Sequence, residues 1–293
     1  MFSDQGAWFA YSFPDSTNIT GFTGPFLMTQ QNGVWASTSL VNIVFDNVKW
    51  NSYSKASYNS HLTQTFSSDN IELTQELVFL SGHSAIINST IKNKSSKRIP
   101  VTYRFKNEKI LADGLKLFST KNTLHINSTK SNAVGHVIFP ENTRISANDS
   151  LYSSIKNRVY LEPNEVKEFT VSQTLIFPEY SWDDEQKSIQ NTNIESILTK
   201  RKLEKETQIK VVIENRKKQF QNDIYAQVLA KAQLTLQNNW RVPAGEIKHE
   251  GLFPSYHYKW FNGFWSWDSW KHAVGLSYYN TDLAKKQMKL MFD

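Results

Sequence analysis

The stretch Ile71-Glu-Leu-Thr-Gln-Glu-Leu-Val-Phe79 carries the pattern that decides the fold class of this chain. Its apolar side chains fall on one parity, and they are Ile71, Leu73, Leu77 and Phe79. Polar side chains fill most of the alternate positions. Because successive side chains of a β-strand point to opposite faces, this alternation predicts a strand with one buried face.

The same alternation recurs through the first 180 residues, between short runs of turn-forming residues such as Ser81-Gly-His83. The repeats are Val101, Tyr103 and Phe105; Leu124 and Ile126; Val137 and Phe139; and Val171, Leu175 and Phe177. No helical pattern interrupts them. Short strands at near-regular spacing predict a large antiparallel β-sandwich over residues 1–180.

The residues of this half form no catalytic or metal-binding pattern. Its histidines stand singly and without the spacing of metal ligands, and they are His61, His83, His125 and His136. The chain has no cysteine, which excludes disulfides, thiol catalysis and cysteine-ligated metals. We therefore predict no metal site and no cofactor.

The pattern changes after Pro178, where apolar residues begin to recur at helical spacing. The acidic residues of Trp182-Asp-Asp-Glu185 mark a helix start, because the N-terminal end of the helix dipole favours negative charge. Residues 181–222 are predicted to form a helical linker of one or two helices, with a break near Asn191-Thr-Asn193.

The net charge of +6 is concentrated in this linker. Between Glu185 and Lys218 there are nine basic and five acidic residues, a surplus of four. A nucleic-acid-binding patch spreads over a face or a groove, whereas these charges are mixed with Glu along a helix. We interpret them as a solvated helix face and predict no nucleic-acid partner.

Residues 223–293 predict further helices joined by a long loop. In residues 223–239 one apolar face is predicted, formed by Ile224, Val228, Leu229, Ala232 and Leu236. Another helix is predicted to begin near Asp268, and a last one to have Thr281 as its N-cap. No apolar run approaches the length of a membrane span, so no membrane contact is predicted. The first residues show no signal peptide.

The loop between these helices is the densest aromatic stretch of the chain. Nine aromatic residues lie between Phe253 and Trp270, and four of them are tryptophans. Polar and charged residues are threaded among them, namely His257, Lys259, Asn262, Asp268, Lys271 and His272. Flat aromatic faces beside a carboxylate suit a hexose, which has C–H groups on its faces and hydroxyls on its rim. The mixture indicates a binding surface rather than core packing.

Several motifs here resemble glycoside hydrolase family 63, in particular its bacterial α-glucosidases, which are related to processing α-glucosidase I and to mannosylglycerate hydrolase. The motifs are Asn239-Trp-Arg-x-Pro-x-Gly245, Pro254-Ser255, Trp260-Phe-x-Gly263, Trp265-x-Trp-Asp-Ser-Trp-Lys271 and Asn280-x-Asp-Leu-Ala-Lys285. The opening Gly6-Ala-Trp8 and Gly21-Phe22 are also similar to the N-terminal domain of that family.

The resemblance implies a β + α multidomain chain: an N-terminal β-sandwich (1–180), linker helices (181–222) and the first helices of an incomplete (α/α)6 barrel (223–293). It implies an inverting, exo-acting α-glucosidase that acts on oligosaccharides and needs no cofactor. Family members are periplasmic or secreted, although the sequence by itself leaves the compartment unknown.

The resemblance also implies roles for individual residues. Asp268 would accept hydrogen bonds from sugar hydroxyls, Trp265 and Trp267 would wall the pocket, and Trp270 and Lys271 would lie beside them. The family's catalytic acid and base come from later helices, so this chain is expected to hold neither, and both are expected beyond Asp293. The residues alone nominate Asp268 as the acid, but the resemblance assigns it to substrate binding.

An alternative from another class is a non-catalytic, lectin-like carbohydrate-binding protein. The lack of an evident acid and base favours it. Three or so helices with exposed apolar faces oppose it, because such faces invite aggregation unless other polypeptide covers them.

Overall fold

The computed structural model describes residues 1–29, 32–255, 260–261 and 263–293. Its larger part is β structure, and its C-terminal part is mainly helical. The strands are β1 Phe9–Ser12, β2 Thr23–Leu27, β3 Val34–Trp35, β4 Asn42–Phe45, β5 Ser52–Ser57, β6 Leu62–Ser67, β7 Ile71–Phe79, β8 Ser84–Asn93, β9 Ile99–Lys106, β10 Leu115–Thr120, β11 Thr123–Ser128, β12 Val134–Ile138, β13 Ile145–Ala147, β14 Tyr152–Ser154, β15 Asn157–Leu161, β16 Val166–Ile176, β17 Trp240–Arg241 and β18 Gly251–Leu252.

Two antiparallel sheets face each other across the main core. The larger sheet has the order β10-β11-β12-β16-β8-β7-β6-β5, and the smaller one has the order β13-β14-β9-β15, with β4 also paired to β9. Tyr103 of the smaller sheet stacks on Phe169 of the larger one, with ring centroids 5.3 Å apart. Buried residues of both sheets form one cluster. This arrangement is the layered β architecture that the alternating pattern predicted.

The period-two pattern identified the core face correctly. Leu73 and Leu77 are fully buried in the main cluster, and so are Phe105 and Leu124. The inward face of β7 also contains Gln75, whose carboxamide bonds to Gln64 and Ser89. The buried amide is tolerated because it has hydrogen-bond partners.

The helices follow the last long strand, and each boundary is set by a cap or a short break. They are α1 Trp182–Gln190, α2 Ile194–Glu214, α3 Asp223–Asn239, α4 Ser266–Ser277 and α5 Thr281–Lys289, with 3-10 turns at Lys218–Phe220 and Leu290–Phe292. The break between α1 and α2 lies where it was predicted, at residues 191–193. The division into three domains stays a prediction.

One predicted cap was wrong. Asn280, not Thr281, caps α5: its side-chain oxygen accepts from the Leu283 backbone N–H at 3.1 Å. Thr281 is the first residue of the helix. Asn and Thr both suit the N-cap position, and the sequence does not decide between two such neighbours.

The charges of α2 are not all solvated, contrary to the prediction. Arg201 and Lys205 are 7% and 5% exposed. The Lys205 ammonium lies 2.8 Å from the buried Asp4 carboxylate, and the Arg201 guanidinium donates to the Phe79 and Leu80 carbonyls. These contacts fasten α2 to the β-rich part of the chain.

The predicted apolar face of α3 does not face the core. Ile224 and Val228 are 60% and 58% exposed, whereas Gln233 and Gln237 on another face are buried. The Gln237 amide donates to the Asn59 carbonyl at 2.9 Å. The bounds of α3 were predicted correctly, but polar contacts with the β-rich part decide its orientation.

Two histidines that the sequence keeps apart form a pair. His125 of β11 lies opposite His136 of β12 in the strand register, and their Nδ1 atoms are 3.0 Å apart. The Trp182 ring of α1 stacks on His136, with ring centroids 3.9 Å apart. The interpretation of these histidines as isolated residues was therefore wrong.

Burial of neutral histidines predicts loss of stability in acid. Burial, and then the charge of His125, lowers the pKa of His136 from 6.5 to about 4. Burial, and then the charge of Lys202, lowers the pKa of His61 to about 4. In the unfolded chain each group takes up a proton near pH 6.5 while the folded chain does not. Their contribution is therefore complete above pH 6.5 and is lost as pH falls toward 4.

Urea unfolding at several pH values in that window tests this. We expect the free energy of unfolding to fall by on the order of 2–3 kcal/mol per histidine. His136→Gln should flatten the dependence on pH, leaving the part due to His61. An unchanged slope in His136→Gln would show that His136 does not resist protonation in the fold.

Candidate functional site

A short hairpin holds the predicted aromatic stretch in place. β17 and β18 pair Trp240 with Leu252 and Arg241 with Gly251. The Asn239 carboxamide donates to the Pro254 carbonyl at 3.2 Å, and the Asn239 carbonyl accepts from the Phe253 N–H at 3.0 Å. The motif that begins at Asn239 therefore anchors the start of the loop.

The N-terminal segment supports the same hairpin from the other side. The Gly6 carbonyl accepts from the Val242 N–H at 2.8 Å, and the Trp8 indole donates to the Val242 carbonyl at 2.9 Å. The Tyr180 hydroxyl donates to the Pro243 carbonyl at 2.8 Å. The motif Gly6-Ala-Trp8 and the motif that begins at Asn239 are thus hydrogen-bonded to each other, although they lie more than 230 residues apart in sequence.

The described aromatic residues divide into a buried and an exposed set. Phe253 is 4% exposed and, with Phe264, packs against Trp8 and against a separate three-stranded sheet of order β1-β2-β3, the β1–β3 sheet. The exposed residues are Trp260, Phe261, Trp265, Trp267 and Trp270. Tyr256, His257, Tyr258, Lys259 and Asn262 lie outside the described residues.

Asp268 lies in the first turn of α4, among three exposed indoles. Trp265, Trp267 and Trp270 are 45%, 70% and 48% exposed. Trp265 is the N-cap residue but gives no side-chain cap, whereas the Ser269 hydroxyl donates to the Trp265 carbonyl at 2.8 Å. Within the part of the chain that the structure describes, no side chain hydrogen-bonds to Asp268 or forms an ion pair with it. Its carboxylate can accept from a ligand.

Lys271 is placed beside these indoles by the period of the helix. Its ammonium lies 4.2 Å from the centroid of the Trp267 ring, four residues earlier in α4. The contact is a cation–π interaction. It covers one face of Trp267, so a sugar would stack on the other face or on the neighbouring rings.

His272 lies near the carboxylate and contacts the anchoring hairpin. It follows Asp268 by four residues and hydrogen-bonds to the backbone of Leu252. Burial lowers the pKa of His272, although the charge of Asp268 and the bond to Leu252 partly oppose this. A neutral ring here leaves the negative charge of Asp268 uncompensated.

Glu250 is a carboxylate that the sequence did not single out. It accepts from the Trp240 indole at 3.0 Å and from the Lys286 ammonium at 2.5 Å. Both oxygens have partners, so Glu250 ties the hairpin to α5 rather than meeting a ligand. Only its contacts with Trp240 of β17 and Lys286 of α5 reveal this role.

The described residues contain neither a cluster of metal ligands nor a membrane-spanning helix. No group of three or more His, Asp or Glu side chains in this portion is arranged to bind a metal ion. None of its helices is long and apolar enough to span a membrane.

Residues 1–114 match the family model described as glucosidase YgjK, N-terminal. The match includes Gly6, Trp8 and the β1–β3 sheet, which support the hairpin before the aromatic stretch. It ends well before Asp268. The β-rich part thus begins with a segment similar to a glucosidase N-terminal domain, which agrees with the coarser part of the resemblance drawn from the motifs.

One solved structure shows a similar fold at low sequence identity, and a second aligns more weakly. A human-microbiome protein named as a kojibiose phosphorylase is 10% identical and has a TM-score of 0.58; the similarity covers 99% of this chain and 42% of that one. An aldose 1-epimerase-type protein from Escherichia coli K12 is 7% identical, with a TM-score of 0.40 over 58% of this chain and 99% of that one. The chain spans less than half the length of the phosphorylase-type protein.

The fold is therefore a mostly antiparallel β domain followed by a few helices, as in the phosphorylase-type structure. That those helices begin an (α/α)6 barrel remains a prediction. The roles of Asp268, Trp265, Trp267, Trp270 and Lys271 also stay predictions, although α4 does bring these residues together.

Gly6→Ala should weaken the support of the hairpin. Gly6 has φ +76°, and an added Cβ would lie 2.8 Å from the Val242 nitrogen and 2.8 Å from its Cγ1. Strain and overlap together should lower the free energy of unfolding by about 2–4 kcal/mol. Gly245→Ala is the matched control: its φ is +60°, but nothing lies within 4 Å of the added Cβ.

Urea unfolding of both variants measures the difference. Gly245→Ala should cost only the strain of its backbone angle, about 1–2 kcal/mol. Equal losses in the two variants would mean that the contact between Gly6 and Val242 does not stabilise the protein.

Proposed function

We propose that this chain is the N-terminal part of an inverting, exo-acting α-glucosidase of glycoside hydrolase family 63, which hydrolyses α-glucosidic bonds of oligosaccharides. The observation that carries the proposal is the unpaired carboxylate of Asp268 among three exposed indoles. The match of residues 1–114 to a glucosidase N-terminal domain supports it. In this proposal residues 1–180 are the sandwich, 181–222 the linker and 223–293 the start of the barrel.

In the proposed site, Asp268 accepts hydrogen bonds from the hydroxyls of the terminal glucose. A bond from a neutral hydroxyl to a carboxylate is stronger than one to a neutral acceptor. Trp265 and Trp267 form the wall on which the sugar ring packs, and Trp270 and Lys271 extend it. Together these residues fix the glucose relative to the bond that is cleaved.

The catalytic pair is proposed to lie on polypeptide beyond Asp293. Inversion needs an acid to protonate the leaving oxygen and a base to activate water on the opposite face, with the two carboxyls ~6.5–9.5 Å apart. The exposed apolar residues of α3 and α4 support such a continuation, since further helices would cover them. They include Ile224, Val228 and Val274.

The full-length product of the gene, incubated with α-linked glucose disaccharides, tests the proposal. Proton NMR of the first product distinguishes the mechanisms: inversion releases β-glucose. Initial α-glucose would contradict an inverting mechanism. Glucose 1-phosphate formed only when phosphate is present would contradict hydrolysis and identify a phosphorylase.

Non-catalytic sugar binding is the second candidate, and the open position of the indoles favours it. A lectin-like site needs no acid and base, and exposed tryptophans can bind sugar on an open surface. Saturable binding of the disaccharides without turnover by the full-length protein would establish this function in place of the glucosidase.

A further inference from the structure

A cleft lies between α1 and the outer face of the larger sheet, far in sequence from the aromatic stretch. None of the residues of α1 is buried. At its N-terminal end the helix is held by the stacking of Trp182 on His136 and by a 2.5 Å hydrogen bond from the Ser81 hydroxyl to Glu185. The C-terminal half of α1 forms one wall of the cleft.

The floor of the cleft is a row of residues across four strands. The register pairs Thr123 with Ile138, Ile138 with Ser172, and Ser172 with Ile86. The chain neighbours of these residues on the opposite face, Val137, Val171 and Ile87, belong to the main core. Because side chains alternate along a strand, the row points outward under α1.

The cleft has the size of a small-molecule site and a largely polar lining. Its volume is about 530 Å³, within the range of known ligand pockets. Hydroxyls and carboxamides provide its polar groups, and they come from Asn122, Thr123, Thr170, Ser172, Gln186 and Gln190.

Ser172 adds an unsatisfied polar group to the floor of the cleft. The residue is 5% exposed, and its hydroxyl has no hydrogen-bond partner among the described residues. A buried hydroxyl without a partner is costly, so native structures rarely leave one unsatisfied. The oxygen itself is closed off from solvent, so it can bond to a molecule in the cleft only after the side chain changes rotamer.

The lining specifies the chemistry of that molecule. Hydroxyls and carboxamides both donate and accept hydrogen bonds, which matches a ligand rich in hydroxyls. Ile86, Ile138 and Ile189 add apolar surface for C–H groups. Glu141 is the one charged residue in the described lining, so an anion is disfavoured.

We propose that this cleft binds a neutral sugar, a glucose unit or a disaccharide, at a site separate from the surface of α4. No residue of α4 lines the cleft. The proposal does not depend on the proposed catalytic function, and it holds equally if the protein is a glucosidase, a phosphorylase or a lectin.

Methyl NMR of the chain labelled with ¹³C at the isoleucine δ1 positions tests it, with maltose as the probe. We expect saturable shifts of Ile86, Ile138 and Ile189 in the millimolar range, while the core residue Ile43 stays unchanged. The titration should be retained in Asp268→Asn, which separates this site from the proposed substrate site.

Ser172→Ala and Gln186→Leu test whether these two side chains bind maltose in the cleft. Each should weaken maltose binding in the cleft by up to about tenfold, because each removes one hydrogen bond. Ligand-free spectra of the variants verify folding. The proposal is overturned if the three methyls do not shift, if the variants titrate like the wild type, or if glycerol saturates the same methyls at the same concentrations.

Discussion

Lys205→Ala is expected to lower the free energy of unfolding by about 3–5 kcal/mol, because it leaves the Asp4 carboxylate buried without its counter-ion. Asp4 is fully buried, and the Lys205 ammonium lies 2.8 Å from it. Glu204 also belongs to this cluster: burial raises its pKa, but the charges of Lys205 and Arg201 outweigh that and lower it overall. The cluster is where α2 is fastened to the β-rich part.

Lys210→Ala is the matched control on the same helix. Lys210 pairs with Glu214 at 3.7 Å, but both side chains are largely exposed. Exposed pairs contribute little because water screens them. Urea unfolding should therefore separate the two variants clearly, and similar small losses would show that the buried pair does not hold α2 in place.

A double variant separates loss of the pair from burial of a lone charge. Asp4→Asn combined with Lys205→Met keeps an acceptor for the Gln5 N–H, which now bonds to Asp4 at 2.8 Å, and removes both charges. Replacing a buried pair by uncharged groups is often close to neutral. The double variant should recover most of the stability that Lys205→Ala loses.

Asp268→Asn is expected to lower kcat/KM of the proposed glucosidase by about 10- to 150-fold. Hydrogen bonds to a charged group contribute ~1.5–3 kcal/mol, and each 1.36 kcal/mol is a factor of ten in rate. The reason is that the amide accepts more weakly from the sugar hydroxyls. Stability should change little, since no described side chain pairs with Asp268.

Asp282→Asn is the matched control for that experiment. Asp282 lies in the first turn of α5, as Asp268 lies in the first turn of α4, and it is exposed. Its replacement should leave kcat/KM unchanged. If both variants keep near-normal kinetics, Asp268 has no role in binding the substrate.

The sequence predicted what depends on local periodicity. The parity of Leu73 and Leu77 identified the core face, and the spacing of apolar residues located α3 from Asp223 to Asn239. Strand alternation and helical spacing are properties of a short segment, so they can be read without knowing what packs against it.

The predictions from sequence were wrong where contact with a residue distant in sequence determines which side chains are buried. α3 turns Ile224 and Val228 outward because Gln237 bonds across to Asn59. Lys205 is buried because Asp4 lies opposite it in space, 201 residues away in sequence.

The histidine pair and the aromatic stretch are two further cases that local sequence patterns could not predict. His125 and His136 meet through the register of two strands, which no spacing rule specifies. Composition alone also could not separate Phe253, which packs in a core, from Trp267, which is 70% exposed.

The central claim is that Asp268 and the indoles around it bind a terminal glucose, and the most direct test is NMR of the chain with ¹⁵N-labelled tryptophan, titrated with glucose. We expect saturable shifts of the Trp265 and Trp267 indole N–H signals, and binding at least about tenfold weaker in Asp268→Asn. Identical titrations of the wild type and Asp268→Asn, or signals of Trp265 and Trp267 that do not respond to glucose, would contradict it.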